Sequence, residues 1–316
     1  MAQKKPAGLR KGSMIRAVAP ASSESSTAAL NMGLDKVQQF GFKITVGSCV
    51  GRLRTRGYLA ATDGERADEL NEAFRDDTVN AVFCVTGGYG TLRILPYLDY
   101  EMIRANPKIF LGFSDITALH VALSQKSGLI TFHGPMIASE MGSEFTDYTQ
   151  RWLLKALQEN APLGELTNPV DGPMLKTIND GEAKGKLIGG NLSLIAHGLG
   201  TPYEIETKDK ILLIEDTDEP PYRVDRYLTQ LWLADKLQDA AGIVIGEFTN
   251  YELTRNEPSL TLWEVLRDRL EECGKPTLYG LCFGHGKHHL TLPIGVEARL
   301  DATQRRIWIE ESATSS

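Results

Sequence analysis

The sequence lacks the features that mark several protein classes. Its four cysteines are scattered at positions 49, 84, 273 and 282 with no CxxC pair, so it carries neither a disulfide framework nor a thiolate zinc motif. Cys84 and Cys282 lie in apolar, strand-like runs and read as reduced core thiols. No apolar stretch approaches the ~18–20 residues of a membrane span. The basic opening MAQKKPAGLRKGS is followed only by the short apolar run 14–19, interrupted by Arg16, which does not make a signal-peptide core. Positive charge is in deficit: the net charge of −7 and a pI near 5.5 argue against a nucleic-acid or anionic-membrane surface. These absences lead to the expectation of a cytoplasmic globular protein, in keeping with 42% hydrophobic and 24% charged residues.

What is present is an alternation of strand and helix patterns. Residues 14–19, 42–46, 81–85, 108–111 and 129–132 read as strands, with helices at 27–39, 63–74 and 148–158, a parallel α/β arrangement. Residues 160–185 are rich in Pro, Gly, Asn and Asp without sustained periodicity and read as a linker. Beyond it, strands are expected at 211–214, 242–245, 277–281 and 296–300. Val224, Tyr227, Leu228, Leu231 and Trp232 form one apolar helical stripe, opposite a solvated face of Arg223, Arg226 and Gln230. The predicted organisation is a polar tail 1–13, an N-terminal α/β domain 14–159, the linker 160–185, a smaller C-terminal α/β domain 186–311 and a tail 312–316.

Ligands of parallel sheets gather at the carboxyl ends of strands, and two notable segments fall there: TGGYG (86–90) and GFSDIT (112–117). Ser114 stands between a buried strand and an apolar helix. On that turn its hydroxyl would be exposed over a helix start whose N–H groups can hold an oxyanion. Taken alone, the same residue reads more readily as an N-cap followed by a favourable Asp115. A nucleophilic serine needs a base and an orienting acid. His285 lies in a glycine-flanked loop after the strand ending at Cys282. His133 ends a strand of the first half, whereas His120 and His197 fall in apolar helical stretches. Adjacent His288 and His289 point to opposite faces, and the cluster has no zinc-site spacing. Glu215 follows four buried apolar residues, where a charge is expensive unless partnered; Asp218 and Glu219, before two prolines, read as a solvent-facing turn. The order Ser114, Glu215, His285 is serine–acid–histidine, without a GxSxG elbow, since Ile116 stands at the last glycine. TGGYG lacks the P-loop lysine, and Arg93 replaces the third glycine of GxGxxG, so it reads as a bare backbone brought near a substrate carbonyl.

Eight segments in one order, VAPASS (18–23), GYLAATDGERADELNEAF (57–74), GGYGTLRILPYLD (87–99), GFSDITAL (112–119), FHGPM (132–136), GGNLSLIAHGLGTP (189–202), LIEDTDEPPYRVDR (213–226) and FGHGKHHLTLPIG (283–295), resemble the LD-carboxypeptidases. That family includes muropeptide LD-carboxypeptidase and the microcin C self-immunity proteins. The resemblance implies an N-terminal domain similar to class I glutamine amidotransferases, a C-terminal α/β domain and an active site in the cleft between them. It implies Ser114 as nucleophile, His285 as base, Glu215 as orienting acid, and the N–H groups of Gly88 and Asp115 as oxyanion donors. Thr86, Gly87, Tyr89, His133 and Asn191 are candidates for lining the substrate site. No cofactor or metal is implied. The partners expected are a small peptide substrate and a second copy of the chain, with neither nucleic acid nor membrane. The expected reaction is removal of the terminal D-alanine from muropeptide tetrapeptides; the alternatives are hydrolysis of microcin C-type peptidyl-nucleotides and a binding module without turnover. Thr86 departs from the arginine that muropeptide enzymes usually carry before GGYG; threonine cannot hold a carboxylate bidentately.

Overall fold

The computed structural model describes residues 3–53, 55–252 and 258–316. In chain order its strands begin with β1 (Met14–Val18), β2 (Lys43–Val46), β3 (Ala81–Cys84), β4 (Ile109–Gly112) and β5 (Thr131–His133). Then follow β6 (Gly164–Glu165), β7 (Lys176–Asn179), β8 (Glu182–Asn191), β9 (Ile211–Thr217) and β10 (Gly242–Thr249). The last four are β11 (Thr277–Gly284), β12 (Leu292–Ile294), β13 (Glu297–Asp301) and β14 (Arg306–Ile309). They form two sheets of a mixed α/β protein, ordered β12-β5-β4-β3-β1-β2 and β6-β14-β13-β8-β9-β10-β11-β7.

The chain divides into two compact units. The first contains Met1–Ala161, Leu290–Gly295 and Ser312–Ser316, and the second contains Pro162–His289 and Val296–Glu311. In the first unit β1 to β5 run parallel and β12 pairs antiparallel with β5. Every residue of β3 and β4 is buried, as expected of parallel strands covered on both faces, which is why their sequences are continuous apolar runs. The intervening helices start where their caps dictate. Ser26 accepts from the Ala29 N–H to open Thr27–Gln39, and Thr62 with Glu65 closes a capping box at Asp63–Arg75. The terminal segments are not loose tails. Leu9 and Ala313 are buried, and the Gly8 and Leu9 N–H groups donate to the Ser315 and Leu157 carbonyls.

In the second unit β8, β9, β10 and β11 form a parallel centre. Antiparallel β7 borders β11, and β13, β14 and β6 extend the sheet from β8. The helix Pro221–Leu233 buries Val224, Leu228 and Leu231 and leaves Arg223, Arg226 and Gln230 in solvent. Residues 160–185, read as a linker, carry β6, β7 and the start of β8. The short strands among Pro, Gly and Asn gave no periodicity from which to read them, because their pairing is set by β11 and β14 rather than by local pattern.

His120 braces the first sheet at the end of β4 and β5. It is fully buried on the helix Thr117–Ala122, with Nδ1 2.8 Å from the Thr131 hydroxyl and Nε2 2.7 Å from the Gly112 carbonyl. A carbonyl only accepts, so Nε2 carries the proton and Nδ1 takes the threonine's hydrogen bond. Burial lowers the imidazole to about 4. The unfolded chain, with an ordinary histidine near 6.5, takes up a proton that the native state excludes. Stability present above pH 6.5 is therefore lost as pH falls towards 4, by at most about 1.4 kcal/mol per pH unit from this group. His120→Gln should lose less melting temperature between pH 7.5 and pH 5 than the parent. An equal loss in both would remove His120 as the cause.

Candidate active site

In the first unit the site is built on adjacent strands β3 and β4. After β4 the chain turns abruptly into the single 3-10 turn Ser114–Ile116, with Ser114 at φ +62°. A non-glycine residue in this left-handed region is uncommon and is held there by its surroundings. Ser114 is not the N-cap, since Phe113 occupies that position. From β3 the chain enters Thr86–Gly90. A Cβ built on Gly87 would lie 3.0 Å from the Ser114 Cβ, 3.2 Å from its Oγ and 3.3 Å from the Asp115 amide nitrogen. The backbone of the glycine loop thus lies directly against the serine and the amide expected to serve it. Gly88, at φ +97°, is pressed against Ser22, where a side chain would not fit.

Ser22, Asp115 and Arg66 hold this loop. The Ser22 N–H donates to the Gly87 carbonyl and the Ser22 hydroxyl accepts from the Tyr89 N–H, each at 3.1 Å. Buried Asp115 accepts from the Thr91 N–H at 2.9 Å, and the Thr91 hydroxyl returns a bond to the Asp115 carbonyl at 2.5 Å. Burial pushes the Asp115 carboxyl upward against these hydrogen bonds. Fully buried Arg66 donates to the Gly90 carbonyl at 3.0 Å and to the Pro20 carbonyl, and pairs with Asp63 at 2.6 Å. Arg93 grips the same Asp63 with two nitrogens. Sequence reasoning missed Ser22, Arg66 and Asp63, whose roles arise only when the loops converge.

The lining candidates of this unit divide. Tyr89 is exposed and meets Tyr58 edge-on, their ring centroids 5.4 Å apart. The Thr86 hydroxyl lies 3.1 Å from that of Ser139. His133 is fully buried and packs edge-on against Phe113, 5.6 Å between centroids, the residue before Ser114.

In the second unit Glu215 is fully buried on β9, and its Oε2 is 2.7 Å from Nδ1 of half-buried His285. With the carboxylate accepting, Nδ1 carries the hydrogen and Nε2 is the basic nitrogen. Gly284, at φ +105°, leaves room for this pair: a Cβ there would stand 2.6 Å from the Glu215 Oε2. Asn191 accepts from the Leu194 N–H as the cap of Leu192–Gly198, and its amide donates to Asp216 at 2.8 Å. Asp216 also accepts from the Ser193 and Thr217 N–H groups, both at 2.9 Å. Burial, then the neighbouring Glu215, raises it to about 7. The strand's alternation sends it to the face opposite Glu215. Asp218 is exposed at φ +60°, and Glu219 pairs with Arg223. His288 lies 3.0 Å from Asp171, while His289 is buried and lowered by that burial to about 3. Among the described residues no group of three or more His, Cys, Asp or Glu is placed to hold a metal, and no helix is long and apolar enough to cross a membrane.

Residues 15–134 match the LD-carboxypeptidase N-terminal domain and residues 184–300 the LD-carboxypeptidase C-terminal domain. The chain is 41% identical over 306 residues to the probable murein peptide carboxypeptidase of Bacillus subtilis (strain 168), covering 97% of this chain and 94% of that protein. It superposes on the crystal structure of an MccF-like protein from Bacillus anthracis str. Ames with a TM-score of 0.86 and 31% identity, over 97% of this chain and 99% of that one. For the muramoyltetrapeptide carboxypeptidase of Oxalobacter formigenes the values are 0.81, 28%, 95% and 99%.

The approach of Gly87 to Ser114 can be tested directly. Gly87→Ala is expected to fold with a melting temperature within a few degrees of the parent, yet to slow modification of Ser114 by a fluorophosphonate at least tenfold. Unchanged labelling would mean that the loop is not held against the serine.

Proposed function

The chain belongs to the LD-carboxypeptidase family, and we propose that it is a serine carboxypeptidase that releases the terminal D-alanine of muropeptide tetrapeptides during cytoplasmic wall recycling, working as a homodimer. The observation that carries this reading is the 2.7 Å contact between His285 Nδ1 and the fully buried Glu215, the arrangement by which a hydrolase fixes the tautomer of its base. The Ser114 Oγ attacks the carbonyl of the L-configured diamino acid, and the His285 Nε2 takes its proton. The tetrahedral oxyanion is held by the N–H groups of Gly88 and Asp115. On collapse the C–N bond breaks, His285 returns the proton to the D-alanine amine, and a peptidyl ester remains on Ser114. Water, activated by the same imidazole, hydrolyses the ester. The chemistry asks nothing of a metal, so dialysis against a chelator should leave activity intact.

Thr86 engages Ser139, so in this reading a substrate carboxylate is not held by the residue before GGYG. The MccF-like neighbours support hydrolysis of a microcin C-type peptidyl-nucleotide as the second reading. Mass spectrometry of both substrates after incubation decides between them: loss of one D-alanine from the tetrapeptide is expected, and cleavage of the peptidyl-nucleotide alone would reverse the order.

The assignment of the acid has its own test. Glu215→Gln should lower kcat about a hundredfold or more, with KM little changed, because the imidazole loses its orientation. Asp218→Asn should stay close to the parent. A dead Asp218→Asn beside an active Glu215→Gln would move the acid to the turn.

A further inference from the structure

His285 stands between two glycines, Gly284 and Gly286, and only the first is explained by its own backbone. Gly284 has a positive φ and lies against Glu215. Gly286 is outside the left-handed region, so its conformation asks for no glycine. What stands where a side chain would go is a second acid: a Cβ built on Gly286 would coincide with the carboxyl group of Glu247. Each glycine beside His285 is thus pressed against a carboxyl group.

Glu247 lies on β10, between β9 and β11. The register against β11 shifts between Ile245 and Glu247, and against β9 between Ile245 and Phe248. After the shift Glu247 stands opposite Gly284. An irregularity of this kind re-aims the side chain beside it; here it brings a carboxyl group against the turn that carries His285. The carboxyl group is poorly served as an acid. It takes a hydrogen bond from the Cys282 thiol, and burial pushes it upward against that bond. Its Oε1 is buried with no hydrogen-bond partner among the described residues. An unmet buried oxygen costs stability, so stability alone does not account for an acid in this place. Further along the turn, Asp171 meets Lys287 at 3.1 Å and His288 at 3.0 Å. Asp171 is 60% exposed, and exposed pairs hold little. The firm support on this side of the turn is Glu247.

We infer that Glu247 is a positioning residue for His285: its carboxyl group fills the space against Gly286 and so keeps the imidazole on Glu215. The inference rests on His285 being the base, as in the carboxypeptidase reading above. Gly286 is next in the chain to His285, and its retreat into a vacated space turns the ring away from the 2.7 Å contact of Nδ1 with Glu215. A misplacement of ~1 Å is enough to cost about a hundredfold in rate.

The experiment empties the space and then refills it from the other side. Glu247→Ala should lower kcat on a tetrapeptide ending in D-alanine about tenfold or more, with KM little changed. Adding Gly286→Ala to that variant puts a methyl group where the carboxyl group was, and should raise kcat at least threefold again. The tautomer of His285 is read without substrate, by nitrogen NMR of protein labelled at histidine, with His285→Ala identifying the signals. The parent should hold the hydrogen on Nδ1, Glu247→Ala should mix the two tautomers, and the double variant should return towards the parent. A Glu247→Ala enzyme with the parent's kcat and tautomer overturns the inference, as does a double variant no better than Glu247→Ala. Should Glu247→Ala fail to fold, Glu247→Ser replaces it in both variants, with the same expectations. If the parent cuts no tetrapeptide, the carboxypeptidase reading fails by itself, and the tautomer decides: an Nδ1–H form that is lost with Glu247 and regained in the double variant upholds the positioning role, and any other pattern rejects it.

Discussion

Glu215 sits at the end of four buried apolar residues of β9, Ile211 to Ile214, and is as inaccessible as they are. A carboxylate there is tolerable only if something polar meets it, and the partner it has is Nδ1 of His285 at 2.7 Å. Much of the local structure makes this contact possible. β11 must end at Gly284, whose positive φ and missing side chain let the loop pass over the carboxylate. The parallel register of β8 against β9 sets Asn191 opposite Glu215, and Asn191 in turn holds Asp216 on the other face. The acid is thus the fixed point around which the imidazole is aimed, rather than one charge among the several of segment 215–219.

In the first unit the turn at Ser114 is kept from relaxing. Ser114 is kept in the left-handed region, and the strain is borne by the bonds between Asp115 and Thr91 and by the guanidinium of Arg66 beneath Gly90. Backbone groups held in this way need no reorganisation when charge develops on a substrate oxygen, which is how a site gains most from electrostatic stabilisation.

The strands and helices that run on continuous apolar patterns were legible from the sequence: β3, β4 and the helices at 27–39, 63–75 and 221–233 follow from burial period and cap residues. Ser114 and Glu215 stood out because each polar residue interrupts or ends an apolar strand. His285 needed a glycine-flanked loop to be singled out, and the family's segments to be given a role. The short strands β6, β7 and β12 were illegible, since pairing partners about a hundred residues or more away define them. Arg66 gave no signal in the sequence, yet its guanidinium is wholly buried. Only the convergence of Pro20, Asp63 and Gly90 explains it.

The central claim is that Ser114 is the nucleophile of the proposed reaction and His285 its base. Rapid-quench mass spectrometry of a tetrapeptide reaction measures this most directly, by following the peptidyl ester on the peptide that contains Ser114. The account predicts that the ester forms in the parent before D-alanine release reaches steady state, and that it forms at least a hundredfold more slowly in His285→Ala. Product release without an ester on Ser114, or an ester that forms equally fast without His285, would contradict it.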